Sequence, residues 1–290
     1  METAGMKLIL SRKGFDSSAG GVPSPIFPDG RMVSLPIPDK TSVVTYRDIL
    51  YENSSLGPLV AALTKGRIPS NYRAHIDPDI VHESLLRLPG WRPIFGQTDQ
   101  AQSHLRNNEV GVGDLFLFFG LFRCVNILNK AICWTDGDRP RHVLWGWLQV
   151  AEVLSLSASP PTDFQWAKYH PHFHCGSNSN NVVYLANRHL EMGRKSVPQL
   201  PGAGVFRRFS SDLQLTANKT SAWSLPYWFY PSRDRTPLTY HADPRRWNRV
   251  GSRTDLRAVA RGQEFVLDCD EYPEAIDWAS DLIQQHEGKC

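Results

Sequence analysis

Two long apolar runs constrain this chain more than any other feature. The first is Val110-Gly-Val-Gly-Asp-Leu-Phe-Leu-Phe-Phe-Gly-Leu-Phe122, a turn followed by a β-prone run of leucine and phenylalanine. The second is His142 to Leu154. Separated by the polar turn Trp134 to Arg141, they read as a hairpin in the middle of a sheet. Leu115 to Phe122 is broken by Gly120 and is too short to cross a bilayer. A third apolar run, Leu8 to Leu10, reads as a buried strand, Asn181 to Ala186 and Gln263 to Asp268 as further strands, and Arg31 to Pro38 as an alternating one after the Asp29-Gly30 turn. Helices are expected at Ser54 to Gly66, with serines at its start and glycine at its stop, and from Pro273 onward, where Ala275, Ile276, Ala279, Leu282 and Ile283 keep helical spacing. Pro78 is read as opening a short helix through Leu86, while Val197 to Arg253 reads as loop-rich. No repeat or linker divides the 290 residues. The expectation is one mixed α/β (α+β) domain over 1–290, with a central, partly antiparallel sheet, a C-terminal helix and long functional loops.

The strand at Leu8–Leu10 empties into a loop of unusual chemistry: Ser11, Arg12, Lys13, Asp16, Ser17 and Ser18, punctuated by Gly14, Gly20 and Gly21 and stiffened by Pro23 and Pro25. Polar residues crowded beyond a strand end are where mixed α/β folds build sites. The loop lacks the Gly-Lys-Ser/Thr ending of a phosphate loop. The five cysteines form no Cys-x-x-Cys pair, the N-terminus has no signal-peptide core, and a reduced, cytoplasmic protein is expected.

Net charge is only +3, but it is unevenly spread. From Arg188 to Arg261 fourteen cations, twelve of them arginines, face five acidic residues, leaving +9. Arg207, Arg208, Arg245 and Arg246 lie here among Trp223, Trp228 and Trp247. Arginine interleaved with aromatics is the composition of a DNA-binding surface. The same composition also fits a solvated face over a few core aromatics, and both readings stand at this point.

Several separate motifs resemble the nucleotide-modification-associated domain of the third type. They are Ser11-Arg-Lys-Gly-Phe-Asp16, Gly20-Gly-Val-Pro-Ser-Pro-Ile26, Leu35-Pro-Ile-Pro38, Gly113-Asp-Leu-Phe-Leu-Phe-Phe-Gly120, His170-Pro-His172, Asn181-Val-Val-Tyr184, Gly202-Ala-Gly204-Val-Phe206 and Trp223-Ser-Leu-Pro-Tyr-Trp-Phe229. The resemblance implies a link to systems that make, read or remove modified DNA bases. The chain is also similar to phage-defence DNA glycosylases that excise glucosylated hydroxymethylcytosine, although no glycosylase motif is matched residue by residue. That similarity implies hydrolysis of an N-glycosidic bond in modified phage DNA.

Base excision needs a flipped nucleotide, a stabilised sugar cation and an activated water. Asp16 is the candidate carboxylate; a turn-capping aspartate bonded to Ser17 or Ser18 is the other reading. Lys13 is the second catalytic candidate, either binding phosphate or sugar or forming a Schiff base. Ser11, Arg12 and Ser18 are candidate substrate contacts, as are His170, His172, Asn181 and Tyr184. The run Tyr169-His-Pro-His-Phe-His-Cys175 carries metal-ligating residue types, but no second Cys/His pair has metal-site spacing, so no metal or cofactor is expected. Asp114 reads as a turn cap, and Glu264 and Asp268 either as further carboxylates that join Asp16 or, more simply, as solvated strand ends. Two alternatives remain: a non-catalytic reader of modified bases, because Gly113-Asp114 and Trp145-Gly-Trp-Leu-Gln-Val-Ala-Glu-Val153 also resemble a PUA-like reader barrel, and an enzyme that installs a modification. DNA is the expected partner, with no membrane and no obligate protein partner.

Overall fold

The computed structural model describes residues 5–129, 131–156, 162–175, 180–192, 195–232 and 234–287. Arg194 and Arg233 of the basic segment and Cys290 lie outside them. The spine of the molecule is a mixed sheet whose strands run in the order Glu264–Asp268, Lys7–Arg12, Leu115–Leu128, Arg141–Ser155, Val182–Ala186, Ile94–Gln97. Lys7–Arg12 is parallel to Leu115–Leu128, and every other neighbour on this path is antiparallel. That places Leu8–Leu10 in the interior, covered on both faces, which is why its apolar residues run without alternation. Among the described residues the two edge strands do not pair with one another, so the sheet is open and the reader-barrel expectation is not met.

The expected central hairpin forms: Phe122 pairs with Arg141 and Leu115 with Gln149. Its tip folds back once more, with Ala131–Trp134 pairing to Leu128–Val125. Ser24–Ile26 adds a parallel strand beside Phe122–Cys124. Helix α1 (Leu56–Leu63) starts where Ser55 Oγ accepts from the Gly57 amide and is followed by Gly66 at φ +77°, both as the sequence predicts. Helix α3 (Glu274–His286) buries Ala275, Ala279, Leu282 and Ile283 against the main core.

Three expectations are corrected. In Arg31–Pro38 only Ile37–Pro38 is a strand, because the Met32 amide donates to the Arg207 carbonyl and the Leu35 amide to Ser24 Oγ, so residues 31–35 have no single strand to pair with. After Pro78 there is a single turn of 3-10 helix, His82–Ser84: the Asp79 backbone is already bonded to Ile94 in both directions. The 197–253 region is not mainly loop. It holds most of a second antiparallel sheet, ordered Thr216–Lys219, Ala222–Pro226, Arg253–Arg257, Trp247–Val250. Trp223, Leu225, Trp247, Thr254 and Leu256 face its interior, whereas Arg249, Arg253 and Arg257 are exposed. Helix α2 (Asp99–Asn107) has no counterpart in the sequence reading, because Leu105 is its only large apolar buried residue and no stripe exists to reveal it.

Candidate functional site

A cleft of about 540 Å³ opens at the carboxyl end of Lys7–Arg12, beside its parallel neighbour. Ligand sites in parallel sheets form at this end, where the chain leaves the strands in loops. Arg12, Lys13, Asp16 and Ser17 line it from the N-terminal loop, Arg139 and His142 from the central hairpin. Lys219, Thr220 and Ser221, the tip of the first hairpin of the second sheet, close the opposite side. The cleft thus gathers Arg12, Arg139 and Lys219, three cations from distant parts of the chain, around one aspartate.

Three hydrogen bonds converge on one oxygen of Asp16. Its Oδ1 accepts from the Ser18 amide (2.7 Å), the Ser18 hydroxyl (2.7 Å) and the Ala19 amide (2.8 Å). All three bonds fall on one oxygen, so the turn is capped while the carboxylate still lines the cleft. Both readings of Asp16 are compatible with this geometry. Ser18 is exposed and serves the turn. Gly120 is required on the facing strand: a Cβ there would stand 2.7 Å from the Lys13 carbonyl oxygen.

Arg12 lies across the Phe119 ring, 5.9 Å from its centroid, and donates to the Ala260 carbonyl. Burial lowers its pKa and Asp16 opposes that shift. His142 is pushed down to about 4 by burial, with Arg12 adding to the effect and Asp16 opposing it. Its Nδ1 accepts from Trp223 Nε1 at 3.0 Å, a bond that needs the ring unprotonated at that atom. Because the folded pKa lies below the ordinary 6.5, the unfolded chain takes up the proton first as pH falls. This contribution to stability is therefore complete above about pH 6.5 and lost as pH drops toward about 4, by roughly 3 kcal/mol at most. Thermal melts across that window should fall more steeply for the native chain than for His142→Gln; equal slopes would assign the loss to other groups.

Lys13 is placed differently from a free nucleophile. Its Nζ is 3.0 Å from Glu264 Oε1 and 4.5 Å from the Phe95 ring centroid, and the pair is buried, with side chains 9% and 1% exposed. Gln97 Nε2 donates to the same Glu264 oxygen at 2.6 Å. Glu264 is thus an interior ion-pair partner, correcting the expectation of a solvated strand end. Ser11 lies directly across from it in the ladder, wholly buried, and is not part of the cleft lining. Asp114 is the turn cap expected, accepting from the Lys7 and Gly111 amides at 2.7 and 2.8 Å.

His170, His172 and Asn181 gather in a second constellation, away from the cleft lining. Asp77 is its hub: Oδ1 is 3.3 Å from His170 Nε2, and Oδ2 is 3.5 Å from His172 Nε2 and 3.9 Å from His75 Nε2. The Gly96 amide donates to Oδ1 at 2.7 Å. Burial works to raise the Asp77 carboxyl, yet the contacts with His170 and His172 hold it well below its ordinary value. In the sequence His75 and Asp77 belong to an irregular His/Asp/Pro stretch, with nothing to join them to His172. Tyr184, expected in the same site, is instead a core residue: wholly buried, stacked near Phe95, its hydroxyl donating to Gln102.

The three tryptophans expected to stack on bases are also interior. Trp223 is fully buried, Trp228 stacks on Phe229 and meets Trp278 edge-on, and Trp247 Nε1 donates to the His241 carbonyl at 2.7 Å. Their rings build the second sheet's core, so for the aromatics the core reading of the composition holds. The arginines behave otherwise. Arg207 and Arg208 are exposed, and Arg245 is 85% exposed, paired to Asp243. Arg246 is half-buried and donates to the Arg257 carbonyl. Tyr227 and Tyr240 are the exposed aromatics of this region.

The model of one family, nucleotide modification associated domain 3, matches residues 7–268, from the first strand of the central sheet to the last. The chain belongs to this family. Membership joins the cleft, the basic sheet and the histidine–aspartate cluster to one matched unit in the context of DNA base modification. No curated protein and no solved structure matches the chain. No helix among the described residues is long and apolar enough to cross a membrane.

Proposed function

We propose that this family member is a DNA glycosylase that hydrolyses the N-glycosidic bond of a modified base, a glucosylated hydroxymethylated base in phage DNA, leaving an abasic site as a defence against phage. The observation that carries the reading is the Asp16 carboxylate beside Arg12 in a cleft of nucleotide size rimmed by basic residues. A carboxylate there opposes the positive charge that develops on the sugar as the base leaves, and orients water toward the anomeric carbon. Arg12, Arg139 and Lys219 supply the charge to hold the flanking phosphates or a sugar carried on the base. Extruding the nucleotide from the duplex gives the cleft access to a bond otherwise inside the stack.

The deciding experiment incubates the protein with glucosylated, hydroxymethylated and unmodified DNA and measures free base and abasic sites. Release from modified DNA alone supports the reading; selective retention without release replaces it with a reader of modified bases.

The exposed arginines of the second sheet continue from the cleft wall, since Lys219 pairs with Ala222 and Ala222 with Arg257. Charge reversal of Arg253 and Arg257 should weaken binding to all DNA sequences about equally. The slope of log affinity against log salt should become shallower by roughly 0.9 for each phosphate that is no longer neutralised. Unchanged affinity and slope in that variant would mean that DNA binds on another face.

A further inference from the structure

We infer that His75, Asp77 and His172 form a binding site for one divalent first-row transition-metal ion. One ligand atom from each of His75, Asp77 and His172 lies within 4.8 Å of the other two, and both imidazoles turn Nε2 toward Asp77 Oδ2. Ligands held at about 2.0–2.1 Å around a tetrahedral ion stand roughly 3.3 Å apart, so the 3.5 and 3.9 Å separations at Asp77 Oδ2 need only a small inward adjustment. Two imidazoles and a carboxylate are the donor set of zinc and of non-haem iron, and three protein ligands leave a position for water or a substrate oxygen.

What distinguishes this cluster from an ordinary hydrogen-bonded knot is the arrangement behind it. Each histidine presents Nε2 to the centre and spends Nδ1 on a separate oxygen. His75 Nδ1 is 2.9 Å from Asp39 Oδ2, and His172 Nδ1 is 2.7 Å from Asn181 Oδ1. Donation from Nδ1 fixes the tautomer that leaves Nε2 as a lone-pair donor, the support that metal-bound histidines generally have. Asn181 is itself fixed, its Nδ2 donating to the His172 carbonyl at 2.7 Å. Asp39 is held by the Thr41 amide and hydroxyl, each at 2.7 Å. The third ligand is oriented as well, since Asp77 Oδ1 accepts from the Gly96 amide and leaves Oδ2 to face the two imidazoles.

Two further observations point the same way. His170 is wholly buried, 3.3 Å from Asp77 Oδ1, and neither of its ring nitrogens makes a hydrogen bond of good geometry. A buried imidazole left so beside a carboxylate marks a polar centre that the protein's own hydrogen bonds do not complete. Gly96 is the residue that lets His172 approach: a Cβ there would stand 2.2 Å from His172 Cδ2. The ligands come from two distant parts of the chain, so an ion at this point would tie the Ala74–His75 strand to the 3-10 turn Pro171–His174.

The test uses the whole chain, stripped with a chelator and then titrated with Zn2+, with Fe2+ under anaerobic conditions, and with Mg2+ as the hard-ion control. About one equivalent of Zn2+ or Fe2+ per chain is expected, with a rise in melting temperature that the chelator reverses and Mg2+ does not reproduce. Loading with Co2+ should give visible bands of nitrogen and oxygen ligation without an intense thiolate band, which separates this site from the free cysteines. His75→Gln should weaken binding at least tenfold, and Asn181→Ala about 10–100-fold through the orientation of His172. His75 is partly exposed, which makes its variant the one expected to keep the fold. If His172→Gln unfolds, the titration of the native chain still decides. Absence of stoichiometric binding by Zn2+, Fe2+ and Co2+, or binding unchanged in a folded His75→Gln chain, would overturn the site.

Discussion

Asp16→Asn is expected to leave the fold and DNA binding intact while base release falls by roughly 10²–10⁴-fold, the range typical for loss of a positioned acid or base. The division of labour between the two oxygens is the reason. An asparagine Oδ1 can accept the same three bonds from Ser18 and Ala19, so the turn remains capped. What disappears is the negative charge in the cleft, and each 1.36 kcal/mol of transition-state stabilisation lost is about tenfold in rate. Asp16→Ala separates the two roles: it removes charge and cap together, and adds a stability loss of roughly 0.5–2 kcal/mol. Single-turnover abasic-site formation beside a thermal melt reads both quantities. Full activity in Asp16→Asn would reduce Asp16 to a turn cap and remove the catalytic role proposed for it.

The largest effect on stability should come from Lys13→Met. The variant leaves Glu264, 1% exposed, with Gln97 as its remaining hydrogen-bond donor and no countercharge. Breaking a buried pair from one side costs about 3–5 kcal/mol, because the surviving charge has already been stripped of water. For a chain of this size the melting temperature should drop by roughly 10 °C. Lys13→Met combined with Glu264→Gln should recover most of that loss, since the new amide oxygen still accepts from Gln97 and no bare charge remains. A drop of less than about 1 kcal/mol in the single variant, or no recovery in the double, would show that the pair is hydrated and contributes little. The same geometry makes Lys13 an ion-pair partner. Borohydride trapping on modified DNA is accordingly expected to give no covalent adduct, and an adduct would return Lys13 to the role of nucleophile.

The elements legible in the sequence share one property: their signal is local. Leu8–Leu10, Leu115–Phe122 and His142–Leu154 are too apolar to lie anywhere but inside a sheet, and Ser55 and Gly66 mark the ends of α1 by backbone chemistry that needs no neighbour. The polar loop from Arg12 to Asp16 is legible for the same reason. Where residue identity does not settle location, the sequence leaves the matter open or misleads. Tryptophan among arginines is equally at home on a base or in a core, and only the packing of Trp223 against Phe119 and Phe265 puts it inside. Helix α2 is invisible because Leu105 is its one large apolar residue, and it is held by contacts such as Gln102 to Tyr184 that no window of sequence contains. Glu264 gives no sign of being buried, because its partners Lys13 and Gln97 reach it from separate parts of the chain.

Residue type and spacing along the backbone suffice for a mixed α/β chain with a central sheet, a C-terminal helix, a polar loop beyond the first strand and a strongly basic segment. Which residues meet is set only by the folded arrangement. Arg12, Arg139 and Lys219 share a cleft with Asp16, and His75 and Asp77 share a centre with His172. The physical reason is distance: hydrogen bonds and ion pairs act over about 3 Å, and the sheet order that brings these side chains that close is set by the burial of apolar faces, a property of the whole chain.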